Sequence, residues 1–274
     1  MSSAPNVVRD ALADAAIHEQ WVSMYRTPEA QGFYEVAFDA IARELSAPAG
    51  STILDAGCGS CAKSVLLAAR GFHVVATDFS QNALDLAKKT IHARGLDDKI
   101  TLRQGDLLRL PFEDGQFKYA VCWGVLMHVP ELHRALSELT RVLAPGGKLV
   151  LSEGNMYSAQ SIALRGLKRI LGKGRARVER VPAGLESHEA TPQGTLLTRQ
   201  LDMKWFVAEC DRLGLALKTR RSGQFTEMYA LMPWRPVRRA IHAANDVWFR
   251  FVRLPGPAFG NLLVFEKKQP RSAR

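Results

Sequence analysis

The chain has 274 residues, 47% hydrophobic and 23% charged, a composition that excludes a disordered or fibrous protein. No stretch approaches the ~18–20 uninterrupted apolar residues of a membrane-spanning helix, and residues 1–16 do not have the basic and apolar segments of an export signal. The four cysteines are typical of reduced thiols in a chain of this size. We therefore expect a globular cytoplasmic protein.

The net charge of +10 is concentrated in the second half of the chain. Residues 1–150 carry 15 lysines and arginines against 17 acidic residues, whereas residues 151–274 carry 22 against 10. Such a basic half is typical of proteins that bind a nucleic acid, an anionic membrane surface or an acidic small substrate. A solvated basic face without a ligand would have the same composition.

Apolar residues spaced three and four apart predict helices over residues 1–50, with a break at Thr27-Pro28. From residue 51 onward the pattern alternates between strands and helices. The predicted strands are 51–56, 73–77, 100–104, 119–123, 148–152, 215–219 and 261–266. The predicted helices are 62–69, 82–93, 131–143, 202–213 and 237–251. This alternation indicates parallel strands joined by right-handed crossovers.

The segment ILDAGCGSCAK, residues 53–63, places Asp55 at a strand end and Gly57 and Gly59 before a helix. Glycines allow the backbone to approach a ligand closely, and helix N–H groups point into the same space. The spacing also satisfies the G-x-G-x-x-A fingerprint of dinucleotide-binding proteins. Asp78, at the end of the second strand, can accept ribose hydroxyls with either kind of ligand.

Three features favour a cationic nucleoside over a dinucleotide. Asp55 places a negative charge in the loop, which repels a pyrophosphate and attracts a cationic amino-acid moiety. Gly105-Asp106 ends the third strand where an adenine amino group would lie, and Pro145-Gly146-Gly147 introduces the fifth strand. With these features, the segments LDAGCG, TDFS, GDLLRLPFEDGQF, YAVCWGVLMHV and LAPGGKLVLSE resemble the class I S-adenosylmethionine-dependent methyltransferases, especially those acting on small molecules, quinones and lipids.

The resemblance covers residues 50–155 and is loose over 156–274. It implies an α/β, Rossmann-like fold with a seven-stranded, mostly parallel sheet and helices on both faces. The single methyltransferase domain, 1–274, would comprise an N-terminal helical cap (1–48), a cofactor-binding core (49–155) and a remainder (156–274). That remainder would hold a substrate lid, the last strands and a basic helical insertion before the final strand.

The resemblance also implies S-adenosyl-L-methionine as the cofactor. Its methionine part would lie at Asp55, Gly57, Cys58 and Gly59, and its ribose at Asp78. The residues implied near the adenine and the methyl group are Phe79, Asp106, Leu107 and Trp123. The third glycine often seen in this loop is replaced here by Cys61.

Cys58-x-x-Cys61 also invites a redox or zinc interpretation. A zinc site would require a second pair, and Cys122 and Cys210 are isolated in the sequence. We interpret Cys58 and Cys61 as small residues that fill a tight turn, and we predict no metal site.

Methyl transfer is an in-line displacement, in which alignment of the reactants alone can contribute ~7–11 kcal/mol. A base that removes a proton from the acceptor would lie above the carboxyl edge of the fourth and fifth strands. The candidates are His128, Glu153 and Tyr157, although a histidine at position 128 also suits packing or a helix start. His188 is a further candidate in the predicted substrate loop. Two aromatic residues of the cap either close over the cofactor or belong to the core: Trp21 and Tyr25.

The predicted helix 237–251 combines an apolar stripe with arginines. The stripe contains Val237, Ile241, Ala244, Val247, Trp248 and Phe251, and the flanking arginines are Arg235, Arg238, Arg239, Arg250 and Arg253. This pattern is typical of a helix that lies on an anionic bilayer, and the alternative is that the stripe packs on the sheet. A second basic stretch, residues 165–180, follows the fifth strand. We hypothesise an amphipathic, lipid-linked or anionic substrate met at the inner face of the membrane.

The sequence thus predicts a methyltransferase of a small or lipid-like molecule, with no nucleic-acid partner. An RNA methyltransferase fits the charge, but the chain has Cys-Trp-Gly-Val where amine-methylating enzymes carry Asn/Asp-Pro-Pro-Tyr/Phe, and no RNA-binding domain is apparent. A nicotinamide-dependent oxidoreductase is disfavoured by Asp55 and Asp106. A relative that binds the cofactor for another purpose, such as a cyclase or scaffold, stays open, as do the substrate, the methylated atom and the oligomeric state.

Overall fold

The computed structural model describes residues 5–25, 27–171 and 177–269. Ten strands in these ranges form two sheets. The larger sheet contains β1 (Thr52–Ala56), β2 (His73–Asp78), β3 (Ile100–Gln104), β4 (Phe117–Trp123), β5 (Leu143–Gly154), β9 (Leu215–Ser222) and β10 (Gly260–Lys267). The smaller sheet contains β6 (Arg177–Val181), β7 (Gly184–Thr191) and β8 (Gly194–Leu201).

The helices of the described ranges flank these sheets. They are α1 (Pro5–Ala13), α2 (Ala15–Tyr25), α3 (Pro28–Leu45), α4 (Ser64–Ala68), α5 (Gln81–His92), α6 (Leu132–Val142), α7 (Ala159–Leu171), α8 (Met203–Arg212) and α9 (Arg235–Val247). Thr27 caps α3 by accepting the N–H of Ala30 at 3.2 Å, and Pro28 occupies the first turn, which explains the predicted break. None of these helices combines the length and the hydropathy that a bilayer crossing requires.

The larger sheet has the strand order β3-β2-β1-β4-β5-β10-β9, in which β10 alone is antiparallel to its neighbours. From β1 the chain proceeds outward through β2 and β3, and then crosses to the other side at β4. The carboxyl ends of β1 and β4 therefore face the crevice where open α/β sheets bind ligands. The predicted Rossmann-like sheet of seven strands is confirmed.

Two clusters of buried side chains cover the two faces of this sheet. One joins α3, α4 and α5 to the strands through residues such as Phe38, Leu67 and Ile91. The other joins α6 and α8 through residues such as Leu139 and Phe206. Apolar residues at helical spacing on one side and buried strands on the other produce this three-layer arrangement.

The predicted boundaries differ from the structure in two places in the core. The helix after the glycine loop is only Ser64–Ala68, because turns occupy the residues before it. The fifth strand begins at Leu143, so that Pro145-Gly146-Gly147 lies within it rather than before it. A register shift between β4 and β5 accommodates this irregular beginning.

The smaller sheet is absent from the sequence prediction, which treated this part of the chain as a substrate lid and loop. Its strands pair antiparallel in the order β6-β7-β8. The placement of His188 in a loop is wrong, because His188 lies in β7 with Nε2 3.5 Å from the carboxylate of Glu186. Strands such as RVERV and GLESHEAT are polar and largely solvated, so they lack the apolar alternation that predicts a strand.

Arg199 of β8 anchors the smaller sheet to the core. Its side chain is 2% exposed, and it pairs with the carboxylate of Glu186 at 2.6 Å. The guanidinium also donates to the carbonyl oxygens of Leu126, Val129 and Pro130, which belong to the turn after β4. One buried cation thus satisfies three carbonyl groups of the core and one carboxylate of the smaller sheet.

The insertion between β9 and β10 is confirmed as residues 223–259, although its helix differs from the predicted one. Helix α9 ends at Val247, and a π-helical turn, Trp248–Val252, follows it. The side of this segment that faces the protein is formed by His242, Asn245 and Phe249. Val237, Val247 and Phe251 of the predicted stripe are exposed, so the stripe as a whole does not pack on the sheet.

Arg199→Met is expected to reduce the free energy of unfolding by about 3–5 kcal/mol, because it leaves Glu186 and three carbonyl groups without their partner. Urea denaturation followed by circular dichroism measures the change. The control is Arg177→Met, which removes a solvent-exposed pair with Glu179 and should cost less than about 1 kcal/mol. Equal midpoints for Arg199→Met and the original protein would contradict the anchoring role.

Candidate active site

The glycine loop after β1 is shaped by left-handed backbone at three positions. Gly57, Gly59 and Cys61 have φ values of +78°, +52° and +58°. A Cβ atom at Gly57 would lie 2.6 Å from the Cγ atoms of Val125, so no side chain fits there. The N–H groups of Gly57 and Cys58 donate to the carbonyl oxygen of Thr77, which fastens the loop to β2. Cys61, which stands where the resembling family often has a third glycine, thus has a left-handed backbone conformation.

The aspartates that end β1 and β2 are both buried. Asp55 accepts the hydroxyl of Ser64 at 2.5 Å, and burial raises the pKa of Asp55 to about 6. Asp78 accepts the N–H of Gly59 at 2.9 Å through one oxygen and that of Ser80 at 2.9 Å through the other. Burial also raises the pKa of Asp78, against the lowering effect of these backbone hydrogen bonds.

Asp106 lies just beyond β3 and meets a residue of the cap. Its Oδ1 accepts the N–H of Leu108 at 2.9 Å, and its Oδ2 lies 2.5 Å from a guanidinium nitrogen of Arg9 in α1. The same guanidinium stands 5.2 Å from the centre of the Phe79 ring. Helix α1 therefore reaches two of the three residues that were predicted to lie near the adenine.

One cavity of about 770 Å³ brings the predicted site together. A volume of this size is ordinary for a small-molecule site, for which ~300–1,000 Å³ is typical. It lies over the carboxyl ends of the strands, and helices α1 and α2 and the start of α3 contribute to its wall. The predicted residues that line it are Asp55, Gly57, Cys58, Gly59, Asp78, Phe79, Asp106, Leu107, Trp123, His128 and Glu153.

Aromatic side chains form much of the wall beyond Trp123. The Trp123 ring meets Tyr34 edge-on with centroids 5.9 Å apart. Trp21 of the cap stacks on His128 with the ring centroids 5.2 Å apart, and it lines the cavity. This position fits the alternative in which Trp21 closes over the cofactor. The side chain of Tyr25 lies outside the described residues.

The three predicted bases occupy different environments. His128 Nδ1 lies 2.6 Å from the carbonyl oxygen of Leu197, and burial lowers the pKa of this histidine. Glu153 is 2% exposed, and burial raises its pKa to about 8, against hydrogen bonds from backbone N–H groups including that of Leu126. Neutral His128 and the perturbed Glu153 carboxyl both line the cavity.

Tyr157 is not part of the cavity, so its prediction as a catalytic residue does not agree with its position. Its side chain is exposed, and the hydroxyl lies 3.4 Å from Asp202 Oδ2 and 3.2 Å from Arg180 Nη2. In the turn that follows β5, the N–H of Tyr157 donates to Asn155 Oδ1 at 3.0 Å. Tyr157 was predicted because it closely follows the end of β5 in sequence, but this closeness does not bring its side chain into the cavity.

The polar residues of the cavity wall that were not predicted include His18, Lys63, Gln224 and Glu227. The Nζ atom of Lys63 stands 3.8 Å from the centre of the Tyr34 ring. Burial raises the pKa of Glu227 to about 7, against the charge of Lys63. Lys63 directly follows the glycine motif and could have been noticed, whereas the other three belong to segments without any motif.

Cys58 and Cys61 are both buried. Their mutual hydrogen bond and burial raise the pKa of the Cys58 thiol well above its usual range, which keeps it protonated and unreactive. Across the described residues, no group of three or more histidine, cysteine or acidic side chains is arranged to hold a metal ion.

Comparison with known proteins agrees with this geometry. Residues 54–151 match the family model described as "Methyltransferase domain". This match, which spans about a third of the chain, shows that residues 54–151 are similar to a methyltransferase domain. The matched region begins within β1 and ends within β5, and it contains the glycine loop and all three aspartates described above.

A demethylmenaquinone methyltransferase from Clavibacter sepedonicus is 38% identical over 114 residues, which are 42% of this chain and 45% of that protein. The chain thus matches less than half the length of this relative. A SAM-dependent methyltransferase from Methanosarcina mazei has the same fold, with a TM-score of 0.58 and 21% identity over 84% of this chain and 98% of that one. A geranyl diphosphate methyltransferase in complex with GPP and sinefungin gives a TM-score of 0.56 at 17% identity, covering 84% and 76%.

S-adenosylmethionine is the cofactor of this domain class, and the residues present fit it. Asp78 and Asp106 keep carboxylate lone pairs for ribose hydroxyls and an adenine amino group, and the glycine backbone leaves space at the loop. Asp55 is buried at the base of the loop with a carboxyl group that a positive charge would stabilise. A dinucleotide would bring its pyrophosphate against this group.

Gly57→Ala is expected to weaken the binding of S-adenosylhomocysteine at least about tenfold, because the new methyl group overlaps Val125 and deforms the loop. Isothermal titration calorimetry measures the affinity. Gly71→Ala is the control, since Gly71 also has positive φ, +87°, but has open space around its missing Cβ. A Gly57→Ala protein that binds as tightly as the original would contradict this account of the loop.

Proposed function

We propose that this chain transfers a methyl group from S-adenosylmethionine to a small, lipid-like molecule. The observation that carries the proposal is the placement of Asp55, Asp78 and Asp106 at three neighbouring strand ends around one cavity. The matching family and the demethylmenaquinone methyltransferase relative support it. A cavity that continues past Trp123 to Glu153 and His128 has room for a second reactant.

In this proposal each cofactor-binding residue has a defined part. Asp78 accepts the ribose hydroxyls, Phe79 and Leu107 pack against the adenine, and Asp106 accepts its amino group. Asp55 and the backbone of Gly57 to Gly59 hold the methionine part. When bound, the cofactor supplies a methyl group already activated on a positively charged sulfur.

The remaining residues of the cavity position the acceptor and exclude water. Trp21 and His128 close the wall by stacking, and Trp123 lies between the two halves of the cavity. Glu153 accepts the proton that the acceptor loses. His128 stays neutral because its pKa is lowered, so we assign it to packing against the acceptor rather than to holding a charge.

Calorimetry is expected to show binding of S-adenosylhomocysteine and at least about tenfold weaker binding by Asp78→Asn, because charge-assisted hydrogen bonds to a ribose contribute ~1.5–3 kcal/mol. Asp85→Asn, on the exposed side of α5, is the matched control and should bind normally. Uptake of NADH without uptake of S-adenosylhomocysteine would refute the proposal and favour an oxidoreductase.

We also propose that the acceptor is met at an anionic membrane surface. The exposed apolar residues of the insertion form a surface that we call the apolar ridge: Trp234, Val237, Val247, Phe251, Val252 and Leu254. Phe251 is 76% exposed and Trp234 67%. Exposed apolar patches of this kind mark interaction sites, and the neighbouring Arg235, Arg250 and Arg253 match a negatively charged partner.

The double variant Trp234→Ser, Phe251→Ser is expected to abolish flotation of the protein with vesicles of 70% phosphatidylcholine and 30% phosphatidylglycerol. Arg235→Glu with Arg253→Glu should weaken it, since each cation near such a surface contributes about 1 kcal/mol. Arg239 is left intact because it pairs with Glu29 of α3. Val178→Ser, an exposed apolar residue of β6, is the control. If the original protein stays with the unbound fraction, or if the ridge variant floats equally well, the membrane proposal fails.

A further inference from the structure

Two buried side chains at the acceptor end of the cavity have a polar atom without a hydrogen-bond partner. Glu153 is 2% exposed and Gln224 is 6% exposed, and both line the cavity. Oε1 of Glu153 accepts the N–H of Leu126 at 3.1 Å, whereas Oε2 has no partner. Oε1 of Gln224 accepts the hydroxyl of Tyr229 at 3.3 Å, whereas Nε2 has no partner.

Such atoms are costly when they stay unpaired. A buried donor or acceptor without a partner costs ~1–3 kcal/mol, and folded proteins satisfy about 90% or more of them. Two such atoms at the same end of one cavity indicate that a bound molecule pairs with them. Each side chain is held in place through its Oε1 atom, so the unpaired atoms are positioned before a ligand arrives.

The fold places both residues at the same edge of the sheet. Glu153 is near the end of β5, and Gln224 follows the end of β9, with β10 between these two strands. Gly154, Gly223 and Gly260 line the cavity between them and contribute no side chain to fill it. The aspartates that fit the cofactor end β1, β2 and β3, on the other side of β4. The pair therefore belongs to the acceptor and not to the cofactor.

From these contacts we infer that Glu153 and Gln224 bind a hydroxyl group of the acceptor, on an otherwise apolar molecule. Gln224 Nε2 can only donate a hydrogen bond, and an oxygen of Glu153 in its ionised form can only accept one. Because burial raises the pKa of Glu153 to about 8, the ionised form predominates above that pH. A hydroxyl oxygen accepts from the amide while its proton is donated to Glu153 Oε2. An ammonium group has no lone pair for Gln224, and a carbonyl group has no proton for the carboxylate.

The surrounding residues and the chemistry of the reaction support a hydroxyl. Phe33, Tyr34, Trp123 and Phe259 give this end of the cavity an aromatic lining, which suits an apolar scaffold. A methyl donor requires an electron-rich partner. As the O–H bond breaks, its proton passes to Oε2 of the ionised Glu153, and the electron pair stays on the oxygen of the acceptor as the source of its nucleophilicity.

The inference rests on the proposed function, and its test separates the two. Calorimetry with S-adenosylhomocysteine alone tests the cofactor site. The protein saturated with that nucleoside is then titrated with three probes of similar size: 2-naphthol, its methyl ether 2-methoxynaphthalene, and 2-tetralone. We expect 2-naphthol to bind at least about tenfold more tightly than the other two, in line with the loss from leaving buried polar groups unpaired.

Gln224→Leu and Gln224→Glu should each reduce the affinity for 2-naphthol about tenfold. They should leave the affinity for naphthalene, which has no oxygen to accept from the amide, within about twofold. Glu153→Gln should also reduce the affinity for 2-naphthol selectively. If the amide oxygen keeps its contact with the N–H of Leu126, the NH2 group faces the hydroxyl proton and cannot accept it. If the amide is turned the other way, the contact with Leu126 is lost. Unchanged binding of S-adenosylhomocysteine by these variants shows that they are folded. Gln81→Leu, an exposed glutamine of α5, is the control for the substitution itself.

Three results would overturn the inference while the cofactor site is intact: equal affinity for 2-naphthol and its methyl ether, tighter binding of 2-tetralone, or no binding of 2-naphthol at all. Failure to bind S-adenosylhomocysteine would instead refute the proposed function. Loss of 2-naphthol binding with naphthalene binding retained in both Gln224 variants supports the inference, because a purely structural role would weaken the binding of both molecules alike.

Discussion

The burial of carboxyl groups at one edge of the sheet is the constraint on which this site depends. Parallel strands end at the same edge, and the reversal of strand order at β1 and β4 opens a crevice there. The residues that close the crevice take Asp55, Glu153 and Glu227 out of water, and desolvation raises the pKa of each. Carboxyl groups with pKa values perturbed in this way cluster at functional sites of proteins.

The residues that line the cavity form two halves with different chemistry. The half over β1 to β3 presents carboxylates and glycine backbone, which suit a cationic nucleoside. The half over β5, β10 and β9 presents aromatic rings and two partly satisfied polar side chains, which suit a mostly apolar molecule. Trp123, at the end of β4, stands at the boundary. The order of strands in the sheet therefore determines which ligand lies where.

The core of the fold could be predicted because its signals are local. A strand ending in Asp55, two glycines and a helix lie within about a dozen residues, and a second strand ending in Asp78 is also followed closely by a helix. The contacts of Arg9 with Asp106 and of Arg199 with Leu126 join residues that are 97 and 73 positions apart in sequence. No local sequence pattern predicts such contacts. The polar strands of the smaller sheet are stabilised by such contacts, and so they escaped prediction. For the same reason Gln224 and Glu227 became visible only when the insertion was seen folded back over the cavity.

All four thiols of this chain are buried. Burial raises the pKa of Cys58, Cys122 and Cys210, so that a thiol-specific reagent meets almost no reactive thiolate in the native state. Modification therefore proceeds only through molecules that have transiently opened. Cys58 lies in the glycine loop and Cys210 lies in α8, and they belong to the two different core clusters. The labelling rates of these two residues therefore report separately on local opening in two parts of the protein. The native sequence thus already contains two thiol probes of local opening, without any engineered cysteine.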